Sequence, residues 1–326
     1  MKRQKIYFTP QGRQLEIPFG ELESGEKVES EKLKVKREKS ENSGSSDSRI
    51  FYISLASGSS GNSCYIGTSA GGVIVDAGIR QDEIEIQLRA NGIDMKNVRG
   101  LLLTHDHTDH VKFAYNLLRN HRHLKLFCTP RVLNGLLRRH SISNRIKEYH
   151  VPIYKEIPFK VGDFEITAFE VPHDGSDNMG FSLVYGERRF VLATDLGAIN
   201  DRAYHYMSQA NYLVIESNYD LQMLLNGSYP EYLKTRIRQG NGHLDNTVTA
   251  AFLADIAGRG LEYVFLCHLS QENNMPQVAV KTSREALERR GLRVGDCSGR
   301  LAMRDADIQL MALPRREASP LFVFRR

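Results

Sequence analysis

No two cysteines in this chain are close enough to form a C-x-x-C pair; Cys64, Cys128, Cys267 and Cys297 are widely scattered. That spacing argues against a disulfide framework and for buried thiols in a reducing compartment. No apolar run approaches the roughly 18 residues that a membrane span needs. The basic start, Met1 to Lys5, is not followed by the apolar core of a secretory signal. These absences lead to the expectation of a soluble, cytoplasmic protein. Strong charge is missing as well. A formal net charge of +5 on 326 residues is compatible with a polyanionic partner but does not demand one. There is no repeat of fixed period.

Large apolar residues are scarce between Glu21 and Ser48, where Glu, Lys, Ser and Gly dominate. Such a stretch cannot bury enough surface to offset the entropy of ordering, so residues 1–48 are expected to be a disordered or loosely docked charged tail. The pattern changes at Arg49, and residues 49–326 are expected to form the folded domain. Short strands are predicted near Phe51 to Leu55, Cys64 to Gly67 and Val73 to Val75. A helix from Ile79 to Asn91 should end at Gly92, and a buried strand should run from Val98 to Leu103. One helix is predicted from Val111 to His123. The second half alternates strands and helices. The whole predicts two sheets covered by helices, an α/β architecture.

The chemistry concentrates where the strand ending at Leu103 stops. His105, His107, Asp109 and His110 follow within a few residues. His105 and His107 are two apart and project to the same side of an extended chain. Imidazoles and carboxylates suit a borderline cation such as zinc. Four ligand-type side chains in one loop exceed what a single tetrahedral ion with an open position takes, which suggests two ions. Other apolar strands end in the same way: Asp76 follows Val75, Asp195 follows Thr194, His268 follows Cys267, and His173 follows Val171-Pro172. Each alone is weak. Together they repeat one design, a strand delivering a ligand to a sheet edge.

Asp76, the His105/His107/Asp109/His110 cluster, His173, Asp195 and His268 resemble the five ordered motifs of the metallo-β-lactamase fold, over roughly Arg49 to Gly299. The resemblance implies a four-layer αββα sandwich. It implies that His105, His107 and His173 bind one Zn2+, that Asp109, His110 and His268 bind a second, and that Asp195 bridges them, with Mn2+ as the alternative metal. Asp76 would orient the cluster from behind.

Substrate is read from the second half. Glu216 ends the strand Leu213 to Glu216, and His243 sits in Gly242-His243-Leu244-Asp245-Asn246 ahead of a helix. These motifs resemble ribonuclease Z and its phosphodiesterase relatives, in which a Glu orients a non-ligand His that protonates the leaving oxygen. Asp109, His243 and Glu216 are thus the candidate catalytic residues, and Ser270 is a candidate phosphate contact. Asp245 reads more simply as a helix cap. The short spans from His173 to Asp195 and from Asp195 to His268 leave no room for the long arm of ribonuclease Z or for the extra domain of larger nucleases. The wording of the motifs resembles the compact bacterial YycJ/WalJ-like branch, associated with cell-wall two-component operons and described as DNA exonucleases acting 5′ to 3′. The expected partner is therefore a nucleic acid, DNA before RNA. A ribonuclease, an acyl hydrolase such as a thioesterase, and a non-enzymatic metal-stabilised module are the alternatives. The Ser57 to Ser63 loop reads as a tight strand connection before a phosphate cradle. Arg119, Arg122, Lys125, Arg138, Arg139, Arg145 and Lys147, and separately Lys234, Arg236 and Arg238, form basic groups that the sequence alone does not place relative to the metals.

Overall fold

Phe190, Val191, Leu192 and Ala193 send alternate side chains into two different cores. Phe190 and Leu192 belong to one apolar cluster, Val191 and Ala193 to another. The same alternation holds for Tyr212 to Ile215 and for Val264 to Cys267. A strand buried on both faces needs an apolar residue at every position, which is why these segments read as continuous hydrophobic runs. The computed structural model describes residues 49–298 and 305–325; the tail expected over 1–48 lies outside them. The described residues fall within one compact unit, Ser46–Arg326.

Two sheets carry the fold. The first, in spatial order, is β15 (Phe322–Phe324), β1 (Ile50–Gly58), β2 (Gly61–Thr68), β3 (Gly71–Val75), β4 (Val98–Leu102), β5 (Lys125–Cys128) and β6 (His150–Pro152). The second is β13 (Val294–Asp296), β14 (Ile308–Ala312), β12 (Tyr263–Cys267), β11 (Tyr212–Glu216), β10 (Arg188–Ala193), β9 (Met179–Tyr185), β8 (Phe164–Glu170) and β7 (Phe159–Val161). Tyr52 of β1 packs on Phe190 of β10 and Phe265 of β12, each with ring centroids 4.9 Å apart. The sheets are therefore face to face. Burying a ring such as Phe265 contributes about 2–3 kcal/mol. The second sheet's other face is covered by α5 (Asp201–Met207), α8 (Asn246–Ile256) and α9 (Pro276–Glu288), through Met207, Leu253 and Leu287. Against the first sheet lie Ile84 and Leu88 of α1 (Gln81–Ala90), Leu117 of α3 (Ala114–Asn120) and Leu136 of α4 (Pro130–Arg139). This is the expected αββα layering.

The helix predicted from Val111 to His123 is interrupted. A short α2 (Thr108–Val111) precedes α3, and the break has a cause. The Phe113 N–H donates to the Ala77 carbonyl at 2.9 Å, and Ala77 N–H donates to the His110 carbonyl at 2.8 Å. The loop after β3 thus takes the backbone groups that a continuous helix would have used. Ser57 to Ser63 is a tight hairpin, with Ser57 paired to Asn62 and Gly58 to Gly61, the strand-connection reading. All four cysteines are free and buried, and burial pushes the Cys128 and Cys297 thiols up to about 12. Among the described residues no helix is long and apolar enough to cross a membrane.

Candidate metal centre

Strands β3, β4, β10, β11 and β12 belong to the parallel parts of the sheets, so their C-terminal ends lie along one edge. They deliver Asp76, the His105 loop, Asp195, Glu216 and His268 in turn. His173 comes from the loop after β8. The structure brings His105, His107 and His173 together in one group, Asp109, His110 and His268 in a second, and His105, His110 and Asp195 in a third. Within each group the ligand-type atoms lie within 4.8 Å of one another. Asp195 stands between: its Oδ2 is 3.1 Å from His110 Nε2, and its Oδ1 is 3.3 Å from His268 Nδ1 and 3.8 Å from His173 Nε2.

Hydrogen bonds behind the ligands decide which ring nitrogens are free. His173 Nδ1 donates to the Gly242 carbonyl at 2.9 Å, leaving Nε2 with a lone pair. His107 Nε2 lies 3.3 Å from Asp174 Oδ1, close enough to feel its charge, although that oxygen is buried with no hydrogen-bond partner. His173 Nε2 and His107 Nδ1 lie 3.3 Å apart. With both lone pairs turned inward, the two nitrogens can hold one cation between them. His105 Nδ1 is bonded to Thr104 Oγ1 at 3.0 Å, while His105 Nε2 is buried with no partner. Asp195 Oδ2 and His268 Nε2 are likewise buried without a hydrogen-bond partner. Buried polar atoms are almost always satisfied, so three orphans within these linked groups fit a divalent-metal site, and the donor set of imidazoles and carboxylates suits such an ion.

Electrostatics divide the site. Burial, reinforced by neighbouring imidazoles, pushes His105, His107 and His173 down, which favours their neutral forms. Burial would lower His110 too, but Asp195, Asp76 and Asp109 outweigh it and hold its pKa well up. That pocket attracts positive charge. Asp76 lies behind His110. Its Oδ2 accepts from His110 Nδ1 at 2.7 Å and from Thr104 Oγ1 at 2.8 Å, and its Oδ1 accepts the Thr104 N–H. Asp76 and His268 both adopt left-handed backbone conformations, φ 61° and 52°. Such strain costs about 1–3 kcal/mol and clusters at functional sites.

Glu216 is fully buried, and its Oε1 accepts from His243 Nδ1 at 2.7 Å and from His268 Nδ1 at 2.8 Å. Its Oε2 accepts the Leu196 and Leu244 N–H groups at 2.9 and 3.2 Å. Burial opposes the charge, but His243 and His268 outweigh it and keep Glu216 ionised. The His243 ring lies 5.1 Å from that of His173 and 5.2 Å from that of His268, centroid to centroid. The predicted pair is therefore real as geometry, and Glu216 also secures His268, which sequence reasoning did not foresee. Asp245 caps α8 through Thr247 N–H, as read. Ser270 Oγ accepts Asn273 N–H at 3.1 Å and closes a turn.

Several contributors went unread. Asn62 Nδ2 bonds Asp109 Oδ2 at 3.1 Å and His110 Nε2 at 2.9 Å. Asn218 Nδ2 donates to the His268 carbonyl at 2.7 Å, and Ser57 Oγ accepts its N–H. Asp174, next to His173, is held by Arg236 at 2.6 Å and brings its other oxygen within 3.3 Å of His107 Nε2. Polar residues flanking the ligands in sequence were the available signal.

Residues 72–268 match the beta-lactamase superfamily domain. The chain belongs to the metallo-β-lactamase superfamily. Within that superfamily it is 34% identical over 253 residues to an exodeoxyribonuclease, YycJ, of Bacillus anthracis, covering 76% of this chain and 92% of that one. It is 31% identical over 245 residues to exodeoxyribonuclease WalJ of Streptococcus pneumoniae, covering 75% and 90%. Among solved structures, the metallo-β-lactamase fold protein YhfI of Bacillus subtilis matches with a TM-score of 0.59 at 13% identity, over 84% of this chain and 99% of that one. The superfamily's hydrolytic, metal-dependent character agrees with the orphaned donors.

Proposed function

We propose that this protein is a cytoplasmic, metal-dependent phosphodiesterase that removes nucleotides from DNA ends, 5′ to 3′, with two ions held by seven side chains. Zn2+ is the favoured metal and Mn2+ the alternative. The carrying observation is the carboxylate-backed imidazole, His243 on Glu216 at 2.7 Å, beside the ligand cluster. His105, His107 and His173 would hold one ion, Asp109, His110 and His268 the other, and Asp195 both. Ions held there supply Lewis acidity, which acidifies water and neutralises charge on phosphoryl oxygens.

The chain's own groups do the remainder. Asn62 holds one oxygen of Asp109, which leaves the other to orient the attacking water. With Nδ1 engaged by Glu216, Nε2 is the His243 atom that hands a proton to the leaving oxygen. An alkoxide needs that proton, whereas a thiolate leaves without it. The pair thus favours phosphodiesters over thioesters. The two exodeoxyribonuclease relatives favour DNA over RNA. A phosphate contact from Ser270 belongs to the same proposal through its remaining O–H.

The test is hydrolysis of 5′- and 3′-end-labelled single- and double-stranded DNA, with RNA in parallel and His105→Ala as control. Mononucleotides released first from the 5′ end support the reading. No metal-dependent cleavage of DNA, or a clear preference for RNA or a thioester, sinks it.

A further inference from the structure

Two helices far apart in sequence place arginines on either side of one loop, the Asp174–Ser176 segment that follows His173. From α7 (Glu231–Arg238), Arg236 reaches Asp174 Oδ2, with Nε at 2.8 Å. From α4, Arg139 approaches Asp106, whose Oδ1 and Oδ2 accept the Ser176 N–H and hydroxyl at 2.8 and 2.7 Å. Asp106 lies between His105 and His107. The loop is therefore fixed to the metal centre on its inner side and flanked by guanidinium groups on its outer side.

Beside Ser176 opens a cavity of about 470 Å³, lined by Arg131, Asn134, Arg138 and Ser176. The three α4 residues are three, four and seven positions apart and so share one face of the helix. The nearby carboxylates are already engaged: Asp106 by Ser176, Asp174 by Arg236, and Asp177 by Lys155 and Thr129. Among the described residues Arg131 has no carboxylate partner, and Arg138 bonds only the Asn134 carbonyl and only through Nε. Two uncompensated guanidinium groups that face a polar cavity are an anion site in want of an anion.

We propose that this cavity is a backbone subsite: Arg131 and Arg138, with Asn134 and the Ser176 edge, bind phosphates of a nucleic-acid strand outside the scissile bond. Arg131 and Arg138 stand two helical turns apart, about 10.5 Å along the axis. A stacked strand advances about 3.4 Å per phosphate, so the two guanidiniums match groups roughly three nucleotides apart. Ser176 of the cavity wall is bonded to Asp106, which sits between His105 and His107, so the cavity adjoins the segment that carries the candidate ligands. The contacts are to phosphate, so they supply affinity and register without base preference. The proposal rests on the phosphodiesterase reading and specifies where the substrate's charged backbone lies.

The experiment is the double variant Arg131→Gln/Arg138→Gln, compared with the unaltered holoenzyme. Both residues are exposed, and an unchanged melting temperature checks the fold. Equilibrium binding is measured by fluorescence anisotropy with a labelled phosphorothioate oligonucleotide, which keeps its charge and resists hydrolysis, across a salt series. The variant should bind at least about tenfold more weakly, and the slope of log K against log salt should shrink by about 1.5, two contacts' worth of released counterions. KM for DNA should rise in parallel. Turnover of bis(p-nitrophenyl) phosphate, too small to reach the cavity, should stay unchanged. Equal binding and equal slope overturn the inference. If neither DNA nor the small diester is hydrolysed by the unaltered protein, the phosphodiesterase reading fails. Binding that still depends on the two arginines would then keep the subsite standing on its own.

Discussion

Replacing Glu216 by Gln removes one charge and changes almost no volume, yet the structure predicts a large effect confined to one kind of substrate. Four donors converge on this carboxylate: His243 Nδ1, His268 Nδ1 and the N–H groups of Leu196 and Leu244. A glutamine amide offers one acceptor oxygen and an NH2 group. If the oxygen serves the two backbone N–H groups, the NH2 meets both imidazoles and forces their Nδ1 atoms to become acceptors. The His243 proton then sits on Nε2 without a carboxylate behind it. His268 acquires a proton on the nitrogen expected to hold an ion. A hydrogen bond to a charged group contributes about 1.5–3 kcal/mol. Losing two, at the lower end, removes about 3 kcal/mol, which corresponds to roughly 100-fold in rate.

The assay compares two leaving groups. On labelled DNA, whose leaving group is an alkoxide, kcat should fall about 100-fold or more. On bis(p-nitrophenyl) phosphate, whose phenolate leaves without a proton, the loss should be only what weaker metal binding causes, about tenfold and restored by added metal. Two outcomes would refute the reasoning. An equal loss on both substrates, rescued by metal, would make Glu216 a support for His268 alone. Activity within about threefold of the unaltered enzyme on DNA would remove the acid from the mechanism.

Chelation should lower the melting temperature by several degrees, because it removes ions that bind the folded site and not the unfolded chain; ions at a hundredfold over Kd contribute about 2.7 kcal/mol, and re-addition of Zn2+ should reverse the loss in differential scanning fluorimetry. Gly78→Ala should abolish metal uptake, since a Cβ there would stand 1.6 Å from the Asp109 carbonyl oxygen and 2.7 Å from the Asn62 N–H; metal content after dialysis checks this, with retained binding as the adverse result. Ellman's reagent at pH 8 should leave the native thiols untouched, because Cys128 and Cys297, raised to about 12, remain protonated thiols there, and buried ones; denaturation should release all four.

What was legible in the sequence is what local pattern encodes. Apolar strands such as Tyr263–Cys267 are buried on both faces, so their boundaries are sharp in composition, and the residue after each strand is where a parallel sheet edge puts its ligands. The candidate ligands, and the Glu216–His243 pair that the structure brings within 2.7 Å, were proposed from that and from the family resemblance. What failed to read was non-local. β15 pairs with β1 across most of the chain, and three residues of ordinary composition announce no such partner. The break between α2 and α3 comes from Ala77, a neighbour only in space. Asn62, Asn218 and Asp174 look like loop residues until the atoms they bond are known. The same reasoning explains why the two basic groups were ambiguous: helical spacing shows which arginines share a face, but only the fold shows that Arg139 of α4 and Arg236 of α7 flank the same loop. A site's ligands are carried by strand ends and can be read one strand at a time, whereas the shell that sets their tautomers and the surface that would receive a polymer arise only when distant segments meet.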